Sequence, residues 1–246
     1  MSPFGRAFAD GDRLQVAGAV VTLKIHRRAR RVSLRLDRAR GEIVATAPSA
    51  RRLGEAAAFA RERAGWIAER IAELPQGPAI APGLMLQVFG QPVRLEAASG
   101  RARWLAATEH FPARIAAMGE GEGYARAVIL VLRRHALEVL SERTAHYAGR
   151  LGAPMPKVAV ADAKGRWGSC RPGRPGQPGS IRYSWRLALA PFEVADYVAA
   201  HECAHLLELN HGPRFWAHVK GLVGDPRPHR DWLRAEGARL HAFGRG

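Results

Sequence analysis

His201, Glu202, Cys203, Ala204 and His205, with a further histidine at 211, are the residues of this chain whose types and spacing can do chemistry. Two histidines four positions apart on a helix stand one turn apart on the same face. Both imidazoles can then close on a single Zn2+ ion, with Glu202 beside it and able to take a proton from a zinc-bound water. A third ligand leaves one tetrahedral position open, which is the arrangement of a catalytic rather than a structural zinc site. The sequence therefore predicts a hydrolytic zinc centre towards the C-terminal end.

Two residues compete to be that third ligand. Glu208 stays on the stripe of Tyr197, His201 and His205 without any turn of the chain. His211 lies six residues past His205, so on a continuous helix its ring would point about 240° around the axis. It can reach the metal only if the helix stops first. Asn210 tolerates the left-handed conformation that ends helices, and Gly212-Pro213 opposes continuation. We favour His211, because neutral imidazole is the commonest metal ligand. The histidine spacing is that of the metzincin signature, but Glu208 stands at its glycine position and no methionine follows His211. A metzincin Met-turn is therefore excluded.

The elements around this motif are readable from periodicity. A helix is expected over 191–209, entered through Pro191. Three strands are expected at 20–25, 32–36 and 43–47, then a helix over 50–73 behind Ser49. A Pro- and Gly-containing linker over 75–83 leads to a hairpin around Gly90 and short strands at 104–108 and 114–118. A long helix over 122–150, strands at 158–161 and 181–189, a mobile loop at 171–179 and C-terminal helices at 213–222 and 230–240 complete the reading. The predicted fold class is α+β. A zincin-like minimal module (backing helix, small sheet, HExxH helix) occupies 121–246 and follows a β-rich region with one helix over 1–120.

Three segments carry a closer resemblance: GRWGSC (165–170), SWRLALAP (184–191) and DYVAAHECAHLLELNHGPRFW (196–216). In this order they resemble the YgjP-like family of zincin-type metalloproteins, which is related to the SprT-type and WLM-type metallopeptidases. The match is strongest over roughly the last hundred residues. It extends loosely to the N-terminal part through the Trp66-Ile67 pair. The resemblance implies His201, His205 and His211 as zinc ligands and Glu202 as the catalytic acid/base. Cys203 replaces the leucine common after His-Glu, and Ser184 the asparagine usual before Trp185. The family implies a metal-dependent hydrolase. Peptides are one substrate class, and a member described as a UTP pyrophosphatase makes nucleotides another.

Hydrolysis at such a centre needs a donor for developing negative charge. Arg166, Arg182, Arg186, Tyr197 and His229 are candidates. Trp167 and Gly168 in the RWGSC turn can bring backbone close to the metal helix, since glycine permits near approach. Arg166, Trp167 and Arg186 are the substrate and transition-state candidates we carry forward. The formal net charge of +16 is almost all arginine. It fits either a solvated surface or an anionic partner, so nucleic acid joins peptide and nucleotide as a candidate. A nucleic-acid-associated protein with a structural metal is the third reading. Two cysteines argue against a disulfide scaffold. The start of the chain has no long apolar run and no apolar segment spans a bilayer, so a cytoplasmic protein without membrane partners is expected.

Overall fold

The computed structural model describes residues 8–37, 41–75, 77–163 and 165–244. Gln76 in the expected linker, and the first seven residues, lie outside them. The chain forms two compact units, Met1–Pro75 and Gln76–Gly246. The boundary expected at 120/121 thus falls inside the second unit. The reason is packing: Leu86, Val93, Leu95 and Ile115 share one core with Val128, Leu132 and Leu140 of the long helix.

The first unit is a four-stranded sheet in the order β1-β2-β4-β3, formed by Arg13–Val16, Ala19–Ile25, Ser33–Asp37 and Glu42–Ala47. β2 and β4 run parallel and the other pairs antiparallel. β1, unforeseen in the sequence, folds back on β2 through a two-residue turn at Ala17-Gly18. Both turn residues have positive φ, the requirement of a type I′ hairpin. The helix expected over 50–73 is divided into a short 3-10 turn, α1 (Leu53–Glu62) and α2 (Ala64–Ala72), with a break at Arg63 next to the poor helix former Gly65. Leu53, Ala56, Ala57, Ala60 and Ile67 close over Val21, Leu23, Ile43 and Ala45.

The second unit begins with the same topology. Strands β5 (Met85–Val88), β6 (Gln91–Ala97), β7 (Arg103–Leu105) and β8 (Ala113–Ala117) take the order β5-β6-β8-β7, with β6 and β8 parallel. Its first turn, Phe89-Gly90, again has positive φ at both residues. The 30-residue helix α3 (Gly121–Arg150) follows. A three-stranded sheet of β9 (Lys157–Ala161), β10 (Gly168–Arg171) and β11 (Ser180–Ser184) has the order β10-β11-β9, so β10 is an edge. β11 ends at Ser184. The run Trp185–Leu189, buried through Ala188 and expected to continue the strand, is a 3-10 turn. A short apolar run does not by itself distinguish strand from helix. The loop at 171–179, expected to be mobile, is pinned by reciprocal backbone bonds between Arg174 and Gln177, at 3.0 and 2.8 Å.

Helices α4 (Phe192–Ala204), α5 (Pro213–Val223) and α6 (Arg227–Ala242) complete the unit. The described residues form an α+β protein with six α-helices and small mixed sheets. No described helix is long and apolar enough to cross a membrane.

Candidate metal centre

Helix α4 carries the candidate residues, and polar contacts in its interior face fix it. Asp196 accepts hydrogen bonds from Arg143 Nε and the Tyr147 hydroxyl of α3, each at 2.6 Å. Thr144 of α3 bonds the Leu140 carbonyl at 2.6 Å and meets the Tyr183 hydroxyl of β11 at 2.9 Å. Cys203 packs fully buried against the same spot, with Sγ 3.7 Å from the Thr144 carbonyl. This contact gives Cys203 a place in the core, turned towards α3. Around these bonds Val194, Ala195, Val198, Ala199 and Ala200 are buried, so apolar burial holds the helix and the hydrogen bonds set its register.

The helix stops earlier than the sequence suggested. Ala204 is its last residue and His205 its cap, rather than Leu209. Asn210 is not left-handed; Ala17 and Phe89 are the described non-glycine residues with positive φ. The turn is made instead by tightened bonds, Leu206 N to the Cys203 carbonyl at 2.9 Å and Leu207 N to the Ala204 carbonyl at 3.1 Å. His205 Nδ1 lies 2.9 Å from the Glu208 carbonyl and secures it. The chain then swings His211 back over His201.

The three imidazoles converge. One ring nitrogen from each of His201, His205 and His211 lies within 4.8 Å of the others. The Nε2 atoms of His201 and His211 are 3.2 Å apart. Ligand nitrogens on a tetrahedral zinc are separated by about 3.3 Å, given bonds of about 2.0–2.1 Å. The donor set therefore fits such an ion. His205 has Nδ1 engaged by Glu208, which leaves Nε2 as the donor it can offer a metal, and the Tyr197 hydroxyl lies 3.4 Å from His201 Nδ1. Glu208 takes part through its backbone. Burial, with His205, His211 and Arg230 adding to it, pushes His201 down to about 3. Burial also lowers His211, aided by His205 and Arg230. Neutral rings are the form that binds a metal.

Glu202 is buried next to β10. Burial pushes its carboxyl up to about 7, with the Arg166 charge pulling the other way. Gly168 is the reason it fits: a Cβ built there would sit 2.5 Å from Glu202 Cγ and 2.6 Å from Cδ, with Oε1 also in collision. The close approach expected of the RWGSC turn is thus made by Gly168 towards the glutamate.

The other candidates divide. Arg166 is exposed and within electrostatic reach of Glu202. Trp167 stacks on His241 at 4.6 Å and packs near Gly237, so it ties β10 to α6. Arg186 has a different task from the one anticipated. It is buried, ion-paired with Asp162, bonded to the Phe243 carbonyl at 3.2 Å and stacked over Trp185. Its guanidinium closes the core around the 3-10 turn. His229 stacks on Tyr197 at 5.6 Å, behind His201. Sequence reasoning missed Arg230, whose charge acts on His201, His211 and Tyr197. Its only signal was a position on a predicted helix.

Comparison with known proteins adds one finding. A family model described as "YgjP-like, metallopeptidase domain" matches residues 30–236. No curated protein and no solved structure matches the chain.

Proposed function

This chain belongs to the YgjP-like metallopeptidase family, and on that premise we propose that it is a zinc-dependent hydrolase of peptide bonds with a zincin-like active site. The observation that carries the reading is the juxtaposition of three converging imidazoles with a buried glutamate against an edge strand. His201, His205 and His211 would hold the ion. Bound there, zinc supplies Lewis acidity, which acidifies water and polarises the oxygen of the scissile group.

The chain's own residues do the rest. The Glu202 carboxylate takes the proton of the attacking water and returns it to the leaving amine. A carboxyl held near neutrality by burial suits both halves of that transfer. Tyr197 and the Glu208 carbonyl orient His201 and His205. β10 pairs only with β11 among the described strands, so its outer edge can accept an extended peptide as an added strand beside Glu202.

Zinc analysis paired with cleavage of an unfolded protein tests this. Glu202→Gln keeps about one zinc per chain and loses on the order of 10²–10⁴-fold in turnover. His211→Ala loses the zinc. Wild-type turnover by Glu202→Gln would remove the glutamate from the mechanism. Unchanged zinc in His211→Ala would transfer the third ligand to Glu208. Release of pyrophosphate from nucleoside triphosphates with no protein cleavage would replace the peptidase reading with the nucleotide one.

A further inference from the structure

A cationic cleft opens at the corner between α5 and α6. It encloses about 670 Å³, and Trp216, Lys220, Asp225, Arg227 and Arg230 are among its walls. Its Trp216 wall is shared with the histidine cluster: the indole lies 6.0 Å from the His211 ring and 6.1 Å from that of His201. Arg230 covers the same indole, its guanidinium carbon 4.9 Å from the ring. The corner is held in place from α3, where Arg150 donates hydrogen bonds to the carbonyls of Gly221 and Leu222 at 2.9 and 3.0 Å.

The cations in the cleft are not equivalent. Arg227 is closed off by Asp225, with Nε bonded to both carboxylate oxygens at 3.0 and 2.8 Å. Arg230 makes no ion pair with a carboxylate among the described residues, and neither does Lys220. A positive charge held beside three histidines that would carry a divalent cation is unfavourable unless an anion comes between them. Stacking on Trp216 keeps Arg230 there all the same. The charge count limits what that anion is. With Arg227 held by Asp225, Lys220 and Arg230 leave two positive charges in the cleft, enough for a carboxylate and fewer than the negative charges a triphosphate carries. The guanidinium fork fits carboxylate and phosphate alike, and a peptide substrate supplies the carboxylate.

Building on the peptidase reading above, we propose that this cleft is a specificity subsite for one acidic side chain of the peptide substrate, its carboxylate held by Arg230 and Lys220. The enzyme then cuts next to aspartate or glutamate in preference to their amides.

Binding tests this apart from turnover. The probe is a fluorescein-labelled decapeptide of alanine and serine with one central Glu, Gln or Lys, titrated by anisotropy into zinc-loaded Glu202→Gln protein. The Glu peptide is expected to bind about tenfold more tightly than the Gln peptide, the scale of one charge-assisted hydrogen bond. Adding Arg230→Gln reduces that ratio below about twofold with zinc content unchanged, and Arg230→Glu makes the Lys peptide the preferred one. Both substitutions are at an exposed position, so the fold is retained. A Glu:Gln ratio near one in the starting protein, or one that survives Arg230→Gln, overturns the proposal. So does a nucleoside triphosphate that displaces the Glu peptide in an Arg230-dependent manner, since it assigns the cleft to phosphate. Cleavage of the same peptides by wild-type protein reports on the peptidase reading separately. If the preference is present and cleavage is not, that reading fails and the carboxylate subsite stands.

Discussion

Replacing Gly168 with alanine tests the contact on which the candidate base depends. Gly168 does not have a left-handed φ, so the backbone itself accepts alanine. The difficulty is space. The new Cβ would lie 2.5 Å from Glu202 Cγ and 2.6 Å from Cδ. Carbon atoms pack at about 3.5–4.0 Å, so β10 or the glutamate must move by about 1 Å. Overpacking of this kind costs about 1–3 kcal/mol. The smaller entropy of the unfolded alanine chain offsets about 0.4–1 kcal/mol of it. The net expectation is a loss of about 1–2 kcal/mol. The loss should vanish in a Glu202→Ala background, where the colliding atoms are gone. Urea denaturation of wild type, both single variants and the double variant measures this directly, and a coupling of at least about 1 kcal/mol is expected. A displacement of about 1 Å at a reacting group also lowers turnover by about 10²-fold, while zinc content holds because the histidines are untouched. A coupling below about 0.5 kcal/mol, or a Gly168→Ala protein with full turnover, would refute the account of why glycine stands there.

Two other consequences are open to simple measurement. Ser184 is fully buried, and its Oγ has no hydrogen-bond partner among the described residues. Ser184→Ala removes an unsatisfied hydroxyl and should raise stability by about 1 kcal/mol in urea denaturation; a loss of that size would point to a hidden partner. Burial, with Glu202 adding to it, pushes the Cys170 thiol up to about 12. At pH 8 its thiolate fraction is then about 10³-fold below that of an ordinary cysteine. Iodoacetamide labelling should be slowed to match, rising about tenfold per pH unit up to that value; labelling at the rate of a free cysteine would contradict the buried environment.

What was legible in the sequence followed from locality. Helical spacing put His201, Glu202 and His205 on one element, because four residues make one turn whatever the surroundings. The hairpin at Gly90 and the long helix α3 could be read for the same reason, from period-two and period-3.6 patterns. His211 was within reach of the argument, but the device that returns it was not. The helix ends at Ala204 through tightened bonds and the His205–Glu208 contact, not through Asn210. Arg186 was expected near the site and Arg230 was not, since an arginine's partner is set by tertiary packing. Arg186 sits beside Trp185 in an apolar run and is drawn into the core with Asp162. Arg230 comes from a separate helix, and only the folded corner brings its charge near the histidines.

The paired hairpin turns have a further consequence. Ala17-Gly18 and Phe89-Gly90 occupy matching places in two sheets of identical strand order, with the same φ values of 50° and 77°. Alanine bears a left-handed conformation at modest cost, whereas phenylalanine at such an angle is an outlier. In the second sheet the cost is offset by docking. The ring is buried, the Phe89 amide donates to the Ala188 carbonyl at 2.7 Å, and Phe89 bridges to Pro191, the residue that opens the metal helix. One loop geometry therefore serves two ends. At Ala17 it only reverses the chain. At Phe89 it is a peg, on which the start of the histidine-bearing helix hangs, so loosening that sheet would be felt at the histidine cluster as a change in the angle at which α4 enters.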